Sequence, residues 1–332
     1  MPSFFEMVTE ISPRSFMMSS GTRRFVYGIL MTEEDAQLVQ IDRSGVTVSQ
    51  LINIHTEAAT FVQMIASLGC QDISSLGFDT TRFWRNGKQL MRSLDKDGKE
   101  REYEVVEETY FQANVCGKST FCCTAKPVDG GDSDMVLIKE CWRDAAFDDE
   151  TEFACDAFGA KGVAQVISVE HHKSEELSTL KLRSSRRGVQ QVLASTSHFR
   201  NRYFVRIVTE LYGKALDTFA SDEQLLSAFR DIVKGRRKQI VVGVCSPWSG
   251  HQNLYQKGIL HRDISHNNVL LGKKDAPVGY QGVLIDFDAA TRVEPGAELT
   301  YWESPVVCSW SFVESDTEQT TGNNNSSVSQ AY

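Results

Sequence analysis

Two short motifs constrain this chain more than anything else in it: His261-Arg262-Asp263-Ile264-Ser265-His266-Asn267-Asn268, and downstream Val283-Leu284-Ile285-Asp286-Phe287-Asp288. Asp263 and Asn268 stand five positions apart, led in by the apolar Gly258-Ile259-Leu260 and followed by Val269-Leu270-Leu271. Asp286 closes a second apolar run. Such spacing suits phosphoryl transfer. One carboxylate has to meet a hydroxyl, an amide oxygen a turn later has to reach a magnesium ion on phosphates, and a second carboxylate has to join it from a neighbouring strand. Either acidic residue alone reads equally well as an ordinary turn or strand-end residue. Both in this order and context do not.

Upstream, Met135-Val136-Leu137-Ile138-Lys139 ends an apolar strand in a lysine. A lysine there can be a snorkelling surface residue. It stands before a helix read from Glu150 to Ala160, however, and that favours an ion pair with a helix glutamate beside the α- and β-phosphates. The helix face carries Phe153, Ala157 and Ala160, so Glu152, next to Phe153, is the preferred partner and Glu150 the reserve. Val115-Cys116-Gly117-Lys118-Ser119-Thr120 reads as a β-turn over phosphates, with one glycine where such loops usually carry three.

The rest of the chain sets bounds. With 35 Lys and Arg against 44 Asp and Glu, the net charge is -9, which argues against general binding to nucleic acid or an anionic membrane. No apolar run approaches the ~20 residues that span a bilayer. The start, MPSFFEMVTEISPRSF, lacks a signal peptide's basic beginning and apolar centre. None of the eight cysteines forms a CxxC pair, and the seven histidines are not spaced for zinc. The reading is an intracellular chain, cytoplasmic or nuclear, with reduced and mostly buried thiols.

Residues 24–31 and 36–42 read as a hairpin about Thr32-Glu33-Glu34-Asp35. A helix follows at 56–68, stopped by Gly69, with Phe61, Met64, Ile65 and Leu68 at core spacing. Residues 93–100 are a charged loop before a β-rich stretch from Tyr103 to Lys139, which turns at 129–134. Tyr203–Thr209 is strand-like and Asp222–Lys234 an amphipathic helix. The connection at 173–201 reads as solvated, its Arg183, Arg186 and Arg187 as a wet face rather than a phosphate site. Arg236–Gly250 reads as a looped-out insertion. Without it, Asp231–Gly235 would run on into His251–Gly258 as one helix, which Pro247 and Gly250 interrupt. From Glu314 onwards there is too little apolar content to fold.

Together these residues resemble the fungal-type protein kinase family, a divergent branch of the protein-kinase-like fold. Arg24-Phe25-Val26-Tyr27-Gly28, Ile41-Asp42-Arg43-Ser44-Gly45, Gly77-Phe78-Asp79 and the Gly117–Thr120 turn agree with it, as do Ile264-Ser265 and the Asp288 that stands in place of a glycine. The likeness covers roughly residues 20 to 290. It implies an α+β, two-lobed fold with an N-terminal α/β extension (1–108), an N-lobe (109–209), a partial C-lobe (210–313) and a disordered tail (314–332). It implies ATP and Mg2+ as cofactors and a protein serine or threonine as substrate, with the natural substrate left open and neither nucleic acid nor membrane as partner.

By the same resemblance Asp263 is the catalytic base, Asn268 and Asp286 bind metal, and Lys139 pairs with Glu152. Arg262 holds the activation segment, Gly117 lies over the phosphates, Leu270 floors the adenine pocket, and the backbone of Thr209-Glu210-Leu211-Tyr212 reads the adenine. Departures lower the expected activity. Ser265 stands where most serine/threonine kinases have a lysine on the γ-phosphate, and Leu137 replaces a small alanine above the adenine. No A-P-E follows Asp288, so the C-lobe is expected to be truncated, with Tyr301, Trp302, Val306, Val307, Trp310 and Phe312 left to cover it, and the enzyme weak or inactive. The alternatives are a pseudokinase or nucleotide-binding interaction module, and a small-molecule phosphotransferase that shares H-x-D-x-x-x-x-N. Arg262 favours the protein-kinase branch over the last.

Overall fold

A computed structural model describes residues 23–112, 117–131, 134–144, 150–171, 202–233 and 250–294. The expected connection at 173–201 with its three arginines, the insertion apart from Gly250, the six apolar residues from Tyr301 to Phe312 and the tail from Glu314 lie outside the described residues.

The described part is a mixed α+β fold, mostly sheet. β1 (Phe25–Met31) and β2 (Asp35–Asp42) form the expected hairpin, in register from Phe25 opposite Asp42 to Met31 opposite Ala36. The Thr32 hydroxyl accepts the Asp35 N–H at 3.0 Å and so closes the turn. β3 (Gly45–Val48) and β4 (Ile52–Asn53) both pair with β2. Helix α1 (Ala58–Leu68) then runs to Gly69.

The core role expected of the α1 stripe does not hold among the described residues. None of its residues is buried. Phe61, Met64 and Leu68 are half-buried, and Ile65 is 46% exposed. Helical spacing says which side of a helix is apolar; it cannot say that a partner arrives to cover it.

A seven-stranded antiparallel sheet follows. Its strands are β5 (Arg82–Arg85), β6 (Lys88–Leu94), β7 (Glu100–Phe111), β8 (Phe121–Pro127), β9 (Val136–Asp144), β10 (Val166–His171) and β11 (Arg202–Glu210). The spatial order is β10-β11-β9-β8-β7-β6-β5. β7 therefore passes straight through the expected division at 108/109, and β5 to β7 belong to the same sheet as the strand that carries Lys139. Ser93 and Leu94, expected in a loop, end β6.

The sheet curls until β6 meets β10. Glu170 accepts from the Leu94 N–H at 3.0 Å and from the Ser93 hydroxyl, and Ser168 Oγ donates to the Leu94 carbonyl at 2.6 Å. Inside the curl lie Met91, Tyr103, Phe121, Cys123, Ala125, Val136, Ile138 and Val208. Strand alternation sends Val136, Ile138 and Glu140 into this interior and leaves Leu137, Lys139 and Arg143 for the other face.

At one end of the interior sits a wholly buried arginine. Arg206 Nε donates to Glu140 at 2.7 Å, Nη2 to Thr81 Oγ1 at 2.7 Å and Nη1 to the Arg92 carbonyl at 2.5 Å. Glu140 also takes Arg82, and Asp79 takes Arg24 at 2.8 Å and the Thr81 N–H at 2.9 Å. Burial alone would lower the pKa of Arg206, but Glu140, Glu170 and Asp79 together hold it above the ordinary value. Burial likewise works to raise Asp79, and Arg24 and Arg206 reverse it, so its carboxyl stays below the usual range. The network binds residues 24, 79–82 and 92–94 to β9, β10 and β11.

Helix α2 (Glu150–Asp156) lies between β9 and β10. Beyond β11 come α3 (Asp222–Val233), α4 (Gly250–Gln256), β12 (Ile259–Leu260), β13 (Val269–Leu271), β14 (Gly282–Leu284) and β15 (Thr291–Arg292). β12 pairs with β15 and β13 with β14. One core joins α2 to these elements: Phe153, Ala157 and Val163 pack with Leu216, Ala228, Ile232, Leu254, Ile264, Leu284 and Phe287. Buried Asp231 accepts the N–H groups of Gly279 and Gln281 at 2.8 and 2.9 Å, which pins the β13–β14 connection to α3. Gly282 is required next to it, since a Cβ would lie 2.3 Å from the Ala228 carbonyl oxygen. Asp231, before the expected insertion, and Gly250, its last residue, both crowd Gly162, where a Cβ would meet the Asp231 oxygen at 2.7 Å and the Gly250 nitrogen at 2.9 Å.

Replacing Arg206 with methionine takes the shared buried countercharge from Glu140, Asp79 and Glu170. Urea unfolding should show a loss of ~3–5 kcal/mol. Lys88→Met, at an exposed pair with Glu104, should change stability by ~1 kcal/mol or less. Equal losses in the two variants would contradict the network's role.

Candidate active site

The β13–β14 ribbon explains how two motifs far apart in sequence meet. Val269 lies opposite Leu284, and the Ile285 N–H donates to the Asn268 carbonyl at 2.9 Å, so Asn268 and Asp286 flank the ribbon's open end. His261, fully buried, ties the two motifs together from beneath. Its Nε2 lies 3.1 Å from the Ile285 carbonyl, and its ring centroid 5.3 Å from that of Phe287. Burial lowers the His261 pKa, so the ring is neutral. As the Nε2–H tautomer it donates to Ile285, and Nδ1 is left to accept the Asp263 N–H at 3.4 Å.

Asn268 Nδ2 donates to Asp263 Oδ2 at 2.7 Å and to the Asp263 carbonyl at 3.1 Å. That orients the half-buried Asp263 carboxylate and leaves the amide oxygen of Asn268 free to act as a ligand. Arg262 and Asp286 both adopt left-handed backbone, with φ of 67° and 68°. Non-glycine residues adopt it uncommonly, here also at Asn86, Ser119 and Asp275, and it recurs at working sites.

Lys139, in β9 between β8 and β11, places Nζ 2.6 Å from Glu150 Oε1 and 3.1 Å from Asp286 Oδ1. The expected partner, Glu152, is exposed and does not make this pair. Residues three apart share a helix face, so Glu150 lies on the side of buried Phe153, and Glu152, one residue from Phe153, is turned ~100° away. Burial alone would lower the Lys139 pKa; Glu150 and Asp286 overcome it and hold the ammonium above the usual lysine value. Burial works to raise Asp286, but Lys139 and then Lys118 keep its carboxyl below the usual range.

Three charged participants had no role assigned from sequence: Arg143, Lys118, read only as part of the turn over phosphates, and Asp288, read only as a motif position. Arg143 Nη1 lies 2.9 Å from Glu150 Oε2 and 2.5 Å from Asp288 Oδ1, and Lys118 Nζ pairs with Asp288 Oδ2. The carboxylates of Glu150, Asp286 and Asp288 lie within 4.8 Å of one another. Strand alternation from Lys139 through Cys141 to Arg143 was a signal that could have found the arginine. The Gly117 turn carries Lys118: Gly117, at φ 114°, donates its N–H to the Arg43 carbonyl at 3.0 Å, and the Lys118 carbonyl accepts from Trp142 at 2.7 Å. The Ile41–Gly45 segment thus rests against this turn.

Residues 211–215 follow β11 and are sewn to β13. The Gly213 N–H donates to the Leu271 carbonyl, and the Leu271 N–H to the Lys214 carbonyl, both at 2.9 Å, with Ala215 bridged to Leu270. Leu270 is half-buried beside the segment. The Glu210 N–H is taken by the Gln165 carbonyl at 3.0 Å, and the Tyr212 hydroxyl accepts the Gln165 N–H at 3.0 Å. Arg262 is exposed.

The chain matches the fungal protein kinase family over residues 8–301 and belongs to it. No curated protein matches it. Among the described residues, no helix is long and apolar enough to cross a membrane.

Glu150→Gln, which leaves Lys139 and Arg143 short of a buried countercharge, should lower the thermal midpoint by several degrees, and Glu152→Gln should not. The thiols offer a second check. Burial pushes Cys122 up to about 11 and Cys141 up to about 12. Both stay protonated in the folded chain, so their contribution to stability is full below about pH 9, the ordinary thiol value, and is lost as pH rises through the raised values. Mass spectrometry after brief alkylation near pH ~8 should find exposed Cys70 and Cys155 modified before half-buried Cys122 or buried Cys141.

Proposed function

We propose that this member of the fungal protein kinase family transfers the γ-phosphoryl group of ATP to a serine or threonine hydroxyl of a protein. The observation that carries this reading is the meeting of Lys139, Glu150 and Asp286 beside the Asp263–Asn268 pair. Glu150 and Asp286 hold the Lys139 ammonium where it would meet the α- and β-phosphates. The Asp286 carboxylate and the Asn268 amide oxygen are hard oxygen donors of the kind magnesium takes, and they would hold that ion. When bound, it neutralises phosphate charge.

Segment 211–215 would join two lobes. With the Glu210 N–H engaged, its carbonyl remains to accept from an adenine amino group, the Tyr212 N–H would serve the ring, and Leu270 would lie beneath. Gly117 would lie over the phosphates. Asp263 would accept the substrate hydroxyl proton as that oxygen bonds to the γ-phosphorus. The bond from phosphorus to the β–γ bridging oxygen then breaks, and ADP leaves. Arg262 would hold the activation segment, which favours a protein substrate. In this reading the sheet from β5 to β11 forms the nucleotide lobe, the β1–β4 sheet braces it, and the elements from α3 onwards carry the catalytic loop, in the cytoplasm or nucleus.

A member that binds nucleotide but transfers phosphate weakly or not at all is the second reading. Ser265 favours it, since Ile264, Ser265, His266 and Asn267 bring neither lysine nor arginine between Asp263 and Asn268.

ATP with Mg2+ should raise the thermal midpoint of the wild type, and Asp286→Asn should abolish that rise with the fold intact. Labelled phosphate should pass to a generic protein substrate, and Asp263→Asn should cut that transfer by ~100-fold or more while ATP still binds. Binding without transfer decides for the second reading. No thermal shift at millimolar nucleotide removes the basis of both.

A further inference from the structure

We propose that Lys118 and Arg143 form a second phosphate grip for the terminal phosphate of the nucleotide, and that Asp288 holds their place in the nucleotide-free chain. The inference deepens the nucleotide-binding reading above and rests on it.

Three cations and three carboxylates interleave at the mouth of the cleft. Lys139 is committed to Glu150 and Asp286. Lys118 and Arg143 instead converge from two sides on the two oxygens of one carboxylate, Asp288. Two cations on adjacent oxygens is the arrangement a phosphate group would take, and a phosphate brings more charge and a third oxygen. The Asp288 N–H also donates to Asp286 Oδ1 at 3.3 Å, so this carboxylate stands beside the metal-binding position of the proposed site.

The grip is built to exchange its occupant. The Lys118–Asp288 pair is about one-third exposed, 32% and 31% for the two side chains. Exposed pairs contribute little and are readily traded for a stronger anion. The backbone under Lys118, in contrast, is held. Gly117 is bonded to Arg43, the Lys118 carbonyl to Trp142 and the Ser119 hydroxyl to the Gln112 carbonyl at 3.2 Å. Arg143 is 10% exposed and braced by Glu150. A cation positioned in advance of its ligand needs no reorganisation when the ligand arrives. With neither lysine nor arginine between Asp263 and Asn268, these two side chains supply the terminal-phosphate charge.

Calorimetric titration tests this with ATP, ADP and, in the absence of magnesium, inorganic tripolyphosphate. Lys118→Gln should weaken Mg–ATP about 10-fold, one charge-assisted contact, and leave Mg–ADP within about twofold. Lys118→Arg should restore most of the loss. Asp288→Asn, which removes the carboxylate that Lys118 and Arg143 share without changing shape, should bind tripolyphosphate several-fold tighter than the wild type. Equal weakening of ATP and ADP by Lys118→Gln, no effect on either, or weaker tripolyphosphate binding by Asp288→Asn overturns this inference and leaves the nucleotide reading standing. A wild type that binds no nucleotide overturns both.

Discussion

Lys139 keeps its charge in a largely desolvated cleft because two carboxylates from distant parts of the chain come to meet it. Removing an ammonium from water is costly unless countercharges stand within reach. That requirement fixes the position of the N-terminus of α2, through Glu150, and of the segment after β14, through Asp286, against the middle of β9. The same core that buries Phe153 on α2 also buries Phe287 next to Asp286. Apolar packing therefore holds in place what the ion pairs align.

A second set of buried charges performs the corresponding task for the opposite face of the sheet. Arg206 gathers Glu140, Thr81 and the Arg92 carbonyl, and through Asp79 it reaches Arg24. Residues near the start of the described chain are thereby bound to β9, which carries Lys139, and to β11 and β10 beside it. β9 lies at the boundary between the two systems, with Glu140 facing one and Lys139 the other, because alternate residues of a strand point to opposite faces. The Ile41–Gly45 turn adds a direct link. Its Arg43 carbonyl holds the Gly117 N–H, so the N-terminal sheet bears on the very turn that presents Lys118. What reads in sequence as an appended extension is a supporting wall of the site.

α1 shows the limit of such integration. Its apolar residues are no more than half-buried among the described residues, although the helix ends where its pattern places it and begins two residues later.

Much of this was legible in the residues themselves. The β1–β2 hairpin, the apolar strand ending in Lys139, the helices near 150 and 222, and the spacing of Asp263, Asn268 and Asp286 all follow from local rules: turn chemistry, period-2 and period-3.6 patterning, and the reach of a short loop. Other features depended on contacts between segments that share no local signal. Glu150 rather than Glu152 meets Lys139 because helix rotation, not adjacency to Phe153, sets the facing side. β5 to β7 join the Lys139 sheet because β7 pairs with β8 and carries β6 and β5 with it, which no composition change marks. Lys118, Arg143 and Asp288 come together because a turn, a strand end and a post-strand loop converge on one cleft. Sequence pattern determined which residues could be helix, strand or site; only tertiary packing decided which charges face one another, because a desolvated charge takes the partner that geometry brings within reach.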